Sequence, residues 1–340
     1  AYRATGDKRL LDKILVTARH YNQLCEDYPS VAQYKARDPE GLNFMADMAI
    51  SSRIIMQLAR KDPSSITWRD FMEAEAFLKS IVATLEPTLE GDDNLDPEMG
   101  IPQELADDFR SRAWNRAMNG IGTIGMAAAA LEDLQALNQS QEYQPTIDRY
   151  HKVIGEYLKL FKSVGCLYTE SNGKDYFYYP YGTSDTGRLV SGFKLYNGPE
   201  DQGHYSHTVQ GFYLLYDSVP ELGVDDDFMT AVGNAVYHNS MTRKHGSIQC
   251  PSADRRRPKS RKSYGAAQKR FYMLEAFTDD IIDGQCVTLS RSKTRAVNSS
   301  YGHRLETLHI HYMKALRQDP TLVHLGEKIG PLMPSAYTRN

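Results

Sequence analysis

The chain has 340 residues, 41% of them hydrophobic and 24% charged, with a net charge of −3. A chain this long buries a large core without disulfides or metals. The charge argues against a general nucleic-acid binder while allowing a local basic patch. No run of about 18 apolar residues occurs, so no membrane span is expected.

Mean hydropathy is −0.53, low because 22 tyrosines carry much of the apolar burden. Tyrosine offers a ring and a hydroxyl, which suits a sugar-lined cleft as well as half-buried packing. Cys25, Cys166, Cys250 and Cys286 lie far apart, without the close pairs of a metal site or a disulfide scaffold. Asn138-Gln-Ser and Asn298-Ser-Ser match the glycosylation pattern, which also arises by chance. The opening Ala1–Asp7 reads as a helix end and a turn with no signal-peptide pattern, so preceding residues are expected to have been removed or not to be included.

In chain order, Leu10, Leu11, Ile14, Leu15, Ala18 and Tyr21 recur at helical spacing after the Gly6-Asp7 turn. Phe44, Met45, Met48, Ile54, Ile55 and Leu58 form a second stripe, and these two helices are expected to make a hairpin. A third helix opens after Ser65, runs through Trp68 and Phe77, and is expected to stop at Pro87 before an acidic loop from Glu90 to about Gln103. Asp107 to Leu137 reads as one long helix. Its Gly120, Gly122 and Gly125 each cost roughly 1 kcal/mol against alanine, so they must serve close packing or a break.

Ile147 to Phe161 is amphipathic. Cys166 to Tyr181, with a turn at Ser171-Asn172-Gly173-Lys174, reads as a β-hairpin forming an inserted lip. Helices are then expected over His204–Tyr216, Asp226–His238, Ala266–Asp283 and Tyr301–Leu316. This order lacks βα alternation and a fixed-period repeat. The expected architecture is therefore all-α: a single (α/α) toroid of helical hairpins over residues 1–340 with a small β-hairpin insertion, and a helical solenoid is the competitor.

Three constellations carry candidate chemistry. In the first, Asn115 and Asn119 lie four apart on one helix face, beside Trp114 and Arg116, and suggest a polar pocket with an aromatic wall. The bland alternative puts Trp114 in the core and the asparagines on a solvated face. The second is Glu200-Asp201-Gln-Gly-His204-Tyr205-Ser-His207, where acids, imidazoles and a phenol gather before a helix. Simple capping by Glu200 or Asp201 is the alternative there. His204 and His207, at i and i+3 without the zinc-helix glutamate, make a poor metal site. The third is the basic run Arg255, Arg256, Arg257, Lys259, Arg261, Lys262 leading to Tyr264. Nearby cations favour a phenolate, which makes Tyr264 a better base, although Arg295 with Tyr301 has a similar layout and a solvated loop is the plain alternative.

The Tyr2-Arg-Ala-Thr-Gly-Asp7 turn, the Trp114-Asn115-Arg116 helix, the tyrosine-rich hairpin and Glu200-Asp201-Gln-Gly-His204 together resemble the toroidal polysaccharide lyases, nearest the family 38 glucuronan and alginate lyases. The resemblance spans about residues 1 to 280. It departs at Tyr205, where a small residue is expected. It implies a secreted or periplasmic enzyme acting on an anionic polysaccharide by β-elimination, with no cofactor and no nucleic-acid or membrane partner.

The resemblance further implies catalysis by an Asn, a His, a Tyr and an Arg. Asn115 would neutralise the uronate carboxylate, helped by Asn119 or Arg257, while His204 and Tyr264 share the roles of base and acid in an order left open. Trp114, Arg116, Asn119, Glu200, Tyr205, His207 and Tyr179 of the hairpin are the candidate substrate contacts. A glycoside hydrolase with paired carboxylates and a non-catalytic helical scaffold are the alternatives.

Overall fold

Local chemistry at the first turn sets the first long helix. Gly6, at φ 71°, takes the left-handed turn that ends α1 (Tyr2–Thr5), and the Asp7 carboxylate accepts the Arg9 backbone N–H to cap α2 (Lys8–Asp27). These elements belong to a computed structural model that describes residues 1–90, 94–169, 173–179, 182–183, 189–190, 193–196, 202–237, 269–279 and 300–329. The described chain is mostly helical, with short antiparallel strands.

After α2 come α3 (Pro29–Ala36), a 3₁₀ turn (Gly41–Met45), α4 (Ala46–Lys61) and α5 (Trp68–Glu90). Helix α5 runs through Pro87 instead of stopping there. A proline inside a helix costs about 3 kcal/mol. Burying Leu85 and Leu89, at 0% and 2% exposure, returns about 1.5–3 kcal/mol each and offsets that cost.

The expected single helix from Asp107 is instead two, α6 (Gln103–Ser111) and α7 (Trp114–Asn138), separated by Arg112 and Ala113 in extended conformations. The break lets the buried Arg110 bind Asp96 and Glu98 of the preceding loop while α7 takes its own direction. Helix α8 (Gln144–Val164) follows.

Strands β1 (Cys166–Thr169) and β2 (Asp175–Tyr178) form the expected hairpin, with Cys166 opposite Tyr178 and Thr169 opposite Asp175. It is not a lip. Tyr176, Phe177 and Tyr178 are all buried, and Phe177 packs on Phe161 and Phe228. A second antiparallel sheet, not foreseen, has the order β3 (Gly182–Thr183), β5 (Phe193–Tyr196), β4 (Leu189–Val190). Helices α9 (Gln202–Ser218) and α10 (Asp226–Val236) agree with expectation over the described residues.

Of the segment expected as a helix over Ala266–Asp283, only residues 269–279 are described, and Lys269–Ala276 is a 3₁₀ stretch rather than an α-helix. It is held between neighbours: Phe277 meets Tyr216 edge-on, and the Thr278 hydroxyl donates to the Thr230 carbonyl and Asn234. Helices α11 (Ser300–Gln318) and α12 (Gly326–Ile329) close the described chain.

Long-range contacts fix the directions of the helices. A Cβ on Gly211 would stand 2.6 Å from the Met118 carbonyl oxygen, one on Gly122 2.8 Å from Leu214 Cβ, and one on Gly125 2.9 Å from Ser218 Oγ. The glycine ladder is therefore a close-packing seam, and α7 and α9 run parallel with a constant offset. Gly120 abuts Pro39 and Leu42 while Asp133 holds Arg53 and Arg60, so α4 is parallel to α7 as well. Tyr213 meets His309 and Asp217 meets Tyr312, which aligns α11 with α9. Helix α8 runs the other way, joining Phe161 to Trp114 and His151 to Glu132.

Candidate functional site

The parallel seam brings the N-terminal ends of α7 and α9 together. The offset that pairs Met118 with Gly211 sets Asn115 level with Thr208, between His207 and the next turn. Asn115 and Asn119 are half-buried, and the Oδ1 atom of each is buried without a hydrogen-bond partner. Such orphaned acceptors cost about 1–3 kcal/mol each, so their retention on one helix face asks for a ligand or water that donates to them. His207 is half-buried at the same end.

Two expected contacts are corrected. Trp114 is wholly buried, edge-on to Tyr157 and Phe161, so its ring has no free face for a sugar. Tyr179, 1% exposed, is packed against Phe161 and Phe212 in the same aromatic cluster. Both rings are large apolar bodies whose burial outweighs any use at the surface. Arg116 is exposed and lies 3.6 Å from Glu40. Backbone places His204 and Tyr205 in the first turn of α9 and Tyr301 in that of α11, but their side chains lie outside the described residues. Glu200, Arg257, Tyr264, Arg295 and the run from Arg255 to Lys262 lie outside them entirely.

Below this end is a cavity of about 460 Å³ that the sequence did not single out. Helix α9 lines it with Gln210, Tyr213, Leu214 and Asp217, which share a stripe with His207. Met126, seven residues after Asn119 and on the same side of α7, faces it from that helix, and Ile50 and Ile54 face it from α4. Ala1, Tyr2 and Arg3 line it as well; Arg3 Nη2 lies 3.0 Å from Asp217 Oδ2, Arg3 Nη1 donates to the Tyr312 hydroxyl at 2.8 Å, and that hydroxyl reaches Asp217 Oδ1 at 3.2 Å. Asp217 holds Arg3 charged against the opposing effect of burial, and burial raises the Tyr312 hydroxyl well above its ordinary range.

His309, ringed by Tyr213 and Tyr312, is pushed down to about 3 by burial, with the positive charges of the Ala1 ammonium and then Arg3 as lesser causes, and is a neutral imidazole at ordinary pH. A helical-wheel reading of α9 groups His207, Gln210 and Asp217. Nothing local in the sequence points Arg3 at them.

Among the described residues no group of His, Cys, Asp and Glu side chains is arranged to hold a metal, and no helix is long and apolar enough to cross a membrane. Comparison with protein-family models, with curated proteins and with solved structures finds no match.

Proposed function

We propose that this chain is an (α/α) toroid that cleaves a uronic-acid polysaccharide of the glucuronan or alginate type by β-elimination. The observation that carries the reading is the pair of orphaned amides, Asn115 and Asn119, standing beside the His204–His207 turn above a cavity. The toroid reading is supported by four co-directional helices, α4, α7, α9 and α11, that all border that cavity, with the antiparallel α8 on the outer side of α7. The Lys61–Glu327 ion pair, joining the end of α4 to α12, brings the last described helix beside α4, as a ring would.

The chemistry follows from the substrate. The C5 proton of a uronate is only weakly acidic until the carboxylate charge is offset, because removing it builds an enediolate-like anion. The Asn115 amide nitrogen donates to the carboxylate and its oxygen accepts a sugar hydroxyl, which satisfies the orphaned atom. His204 and Tyr264 share the base and acid roles, with Arg257 as a further counter-charge. Arg116, Glu200, Tyr205 and His207 contact the flanking units. Asp217, the carboxylate in the cavity, is locked to Arg3 and Tyr312 and is poorly placed to serve a hydrolase. An enzyme of this kind meets its polymer outside the cytoplasm.

The test is the ultraviolet absorbance of the unsaturated 4,5-ends released from glucuronan and alginate. Tyr264→Phe keeps the ring and removes only the hydroxyl, so a protein with unchanged circular dichroism should lose about 10²–10⁴ in turnover, the range of general acid–base catalysis. Asn115→Ala should also lower turnover. Reducing ends without absorbance would turn the assignment to a hydrolase, and a folded Tyr264→Phe with full elimination would move the role to Tyr301 or Tyr205.

A further inference from the structure

The outer face of α5 carries an aromatic ring that neither the candidate site nor the cavity uses. Trp68, the first residue of that helix, is 75% exposed. Its indole stacks on Phe71, with ring centroids 5.7 Å apart and planes 19° from parallel, and Phe71 packs in turn against the core. One side of the indole is therefore backed by a ring anchored in the fold, and the other meets solvent at a fixed angle. Met72, one turn further on, is exposed beside it. Lys79 lies on the same stripe two turns beyond Met72, about 16 Å from Trp68 along the helix.

Charge along this stripe is sorted by depth. Lys79 lies 2.7 Å from Glu75, while Arg19 of α2 and Arg69 lie 2.6 and 3.7 Å from Glu73. In each pair the cation is the outer partner. Lys79 is 58% exposed against 19% for Glu75, and Arg19 and Arg69 are 42% and 80% exposed against 21% for Glu73. A ligand approaching the ring meets positive charge before negative.

We infer that this stripe is a docking track for an anionic polysaccharide, apart from the candidate site, that holds the polymer rather than cuts it. A pyranose has a face of C–H bonds that packs on the negative face of an indole, and a ring already held by Phe71 loses little freedom on binding. Arg69, Arg19 and Lys79 then meet the carboxylates of the units on either side. A stable protein partner covers about 800 Å² a side around an apolar centre, whereas the apolar part here is two side chains set among charges.

The choice of polymer rests on the lyase reading above, but the track does not depend on elimination. Helix α5 runs back along α4, with Ser52 donating to the Ala74 carbonyl, so Trp68 stands near the C-terminal end of α4. Asn115 and Asn119 stand toward its other end, where Gly120 abuts Leu42. The 16 residues of α4 set the two about 24 Å apart.

The chain has two tryptophans, and Trp114 is wholly buried, so quenching by solutes in water reports Trp68. Saturating glucuronan should lower acrylamide quenching at least twofold, high salt should remove most of that protection, and a neutral β-glucan should protect far less. Trp68→Ala, with unchanged circular dichroism, should weaken retention in a native gel containing glucuronan at least fivefold. Arg69→Gln with Lys79→Gln should lower binding at low salt and flatten its salt dependence. Unchanged quenching under glucuronan, equal protection by the neutral glucan, or full retention of Trp68→Ala would each reject the track. A dimer in light scattering that Trp68→Ala dissociates would give the face to a second copy and reject it too. No arm needs turnover: protection of Trp68 without unsaturated ends keeps the track and drops the lyase, and elimination with Trp68 untouched does the reverse.

Discussion

His309 offers a sharp test of the environment inside the cavity. In the folded chain its imidazole titrates at about 3, against an ordinary value of 6.5, because burial penalises the charged ring. The unfolded chain therefore binds one more proton than the folded chain between those two values. Stability from this group is complete above pH 6.5 and is lost progressively as pH falls toward 3.

At pH 5.0 the loss is about 2 kcal/mol, from 1.36 kcal/mol per pH unit over the interval below 6.5. For a chain of 340 residues this corresponds to about 3 °C in Tm. His309→Phe keeps an aromatic ring against Tyr213 and Tyr312 and takes up no proton. Chemical and thermal denaturation of both proteins at pH 7.5 and 5.0 should give a wild-type drop larger than the variant's by that amount. The comparison of slopes cancels any constant offset from the substitution and the titration of the other histidines. Equal slopes would refute the reasoning and mean that His309 is solvated or charged in the folded chain.

Two further outcomes follow from the packing and the buried charge. Gly211→Ala sets a methyl 2.5 Å from Met118 Cγ and 2.6 Å from the Met118 carbonyl oxygen, so α7 and α9 must separate at a cost of about 1–3 kcal/mol, read by urea denaturation. On the proposed mechanism its elimination rate should fall even where the protein stays folded, since the same seam aligns Asn115 with the start of α9. Asp217→Asn leaves Arg3 charged and buried without its counter-ion and should cost about 3–5 kcal/mol; a much smaller loss would mean that water reaches Arg3.

The sequence alone determined several of the helices, because amphipathic periodicity is a local property: the stripes in α2, α4, α8 and α9 are legible from spacing, as are the turn chemistry at Gly6-Asp7 and the pairing of β1 with β2. It also marked Asn115 and Asn119 as sharing a face, since i and i+4 positions stack on any helix. Where local signals misled, a distant partner had decided the outcome. Pro87 sits inside α5 because its neighbours are buried, and the stretch from Lys269 is 3₁₀ because it is clamped between α9 and α10.

Trp114 and Tyr179 could have faced solvent or core by pattern alone. The aromatic cluster around Phe161, assembled from α7, α8, α9 and β2, claimed them. The glycine ladder announced close packing without naming α9 as its partner. The cavity was least legible of all, since the cluster beside it joins Arg3, Asp217 and Tyr312 from remote parts of the chain. Complementary charge and shape between distant segments leave no periodicity in the sequence, so only the tertiary structure, by bringing them within hydrogen-bond reach, decided that site.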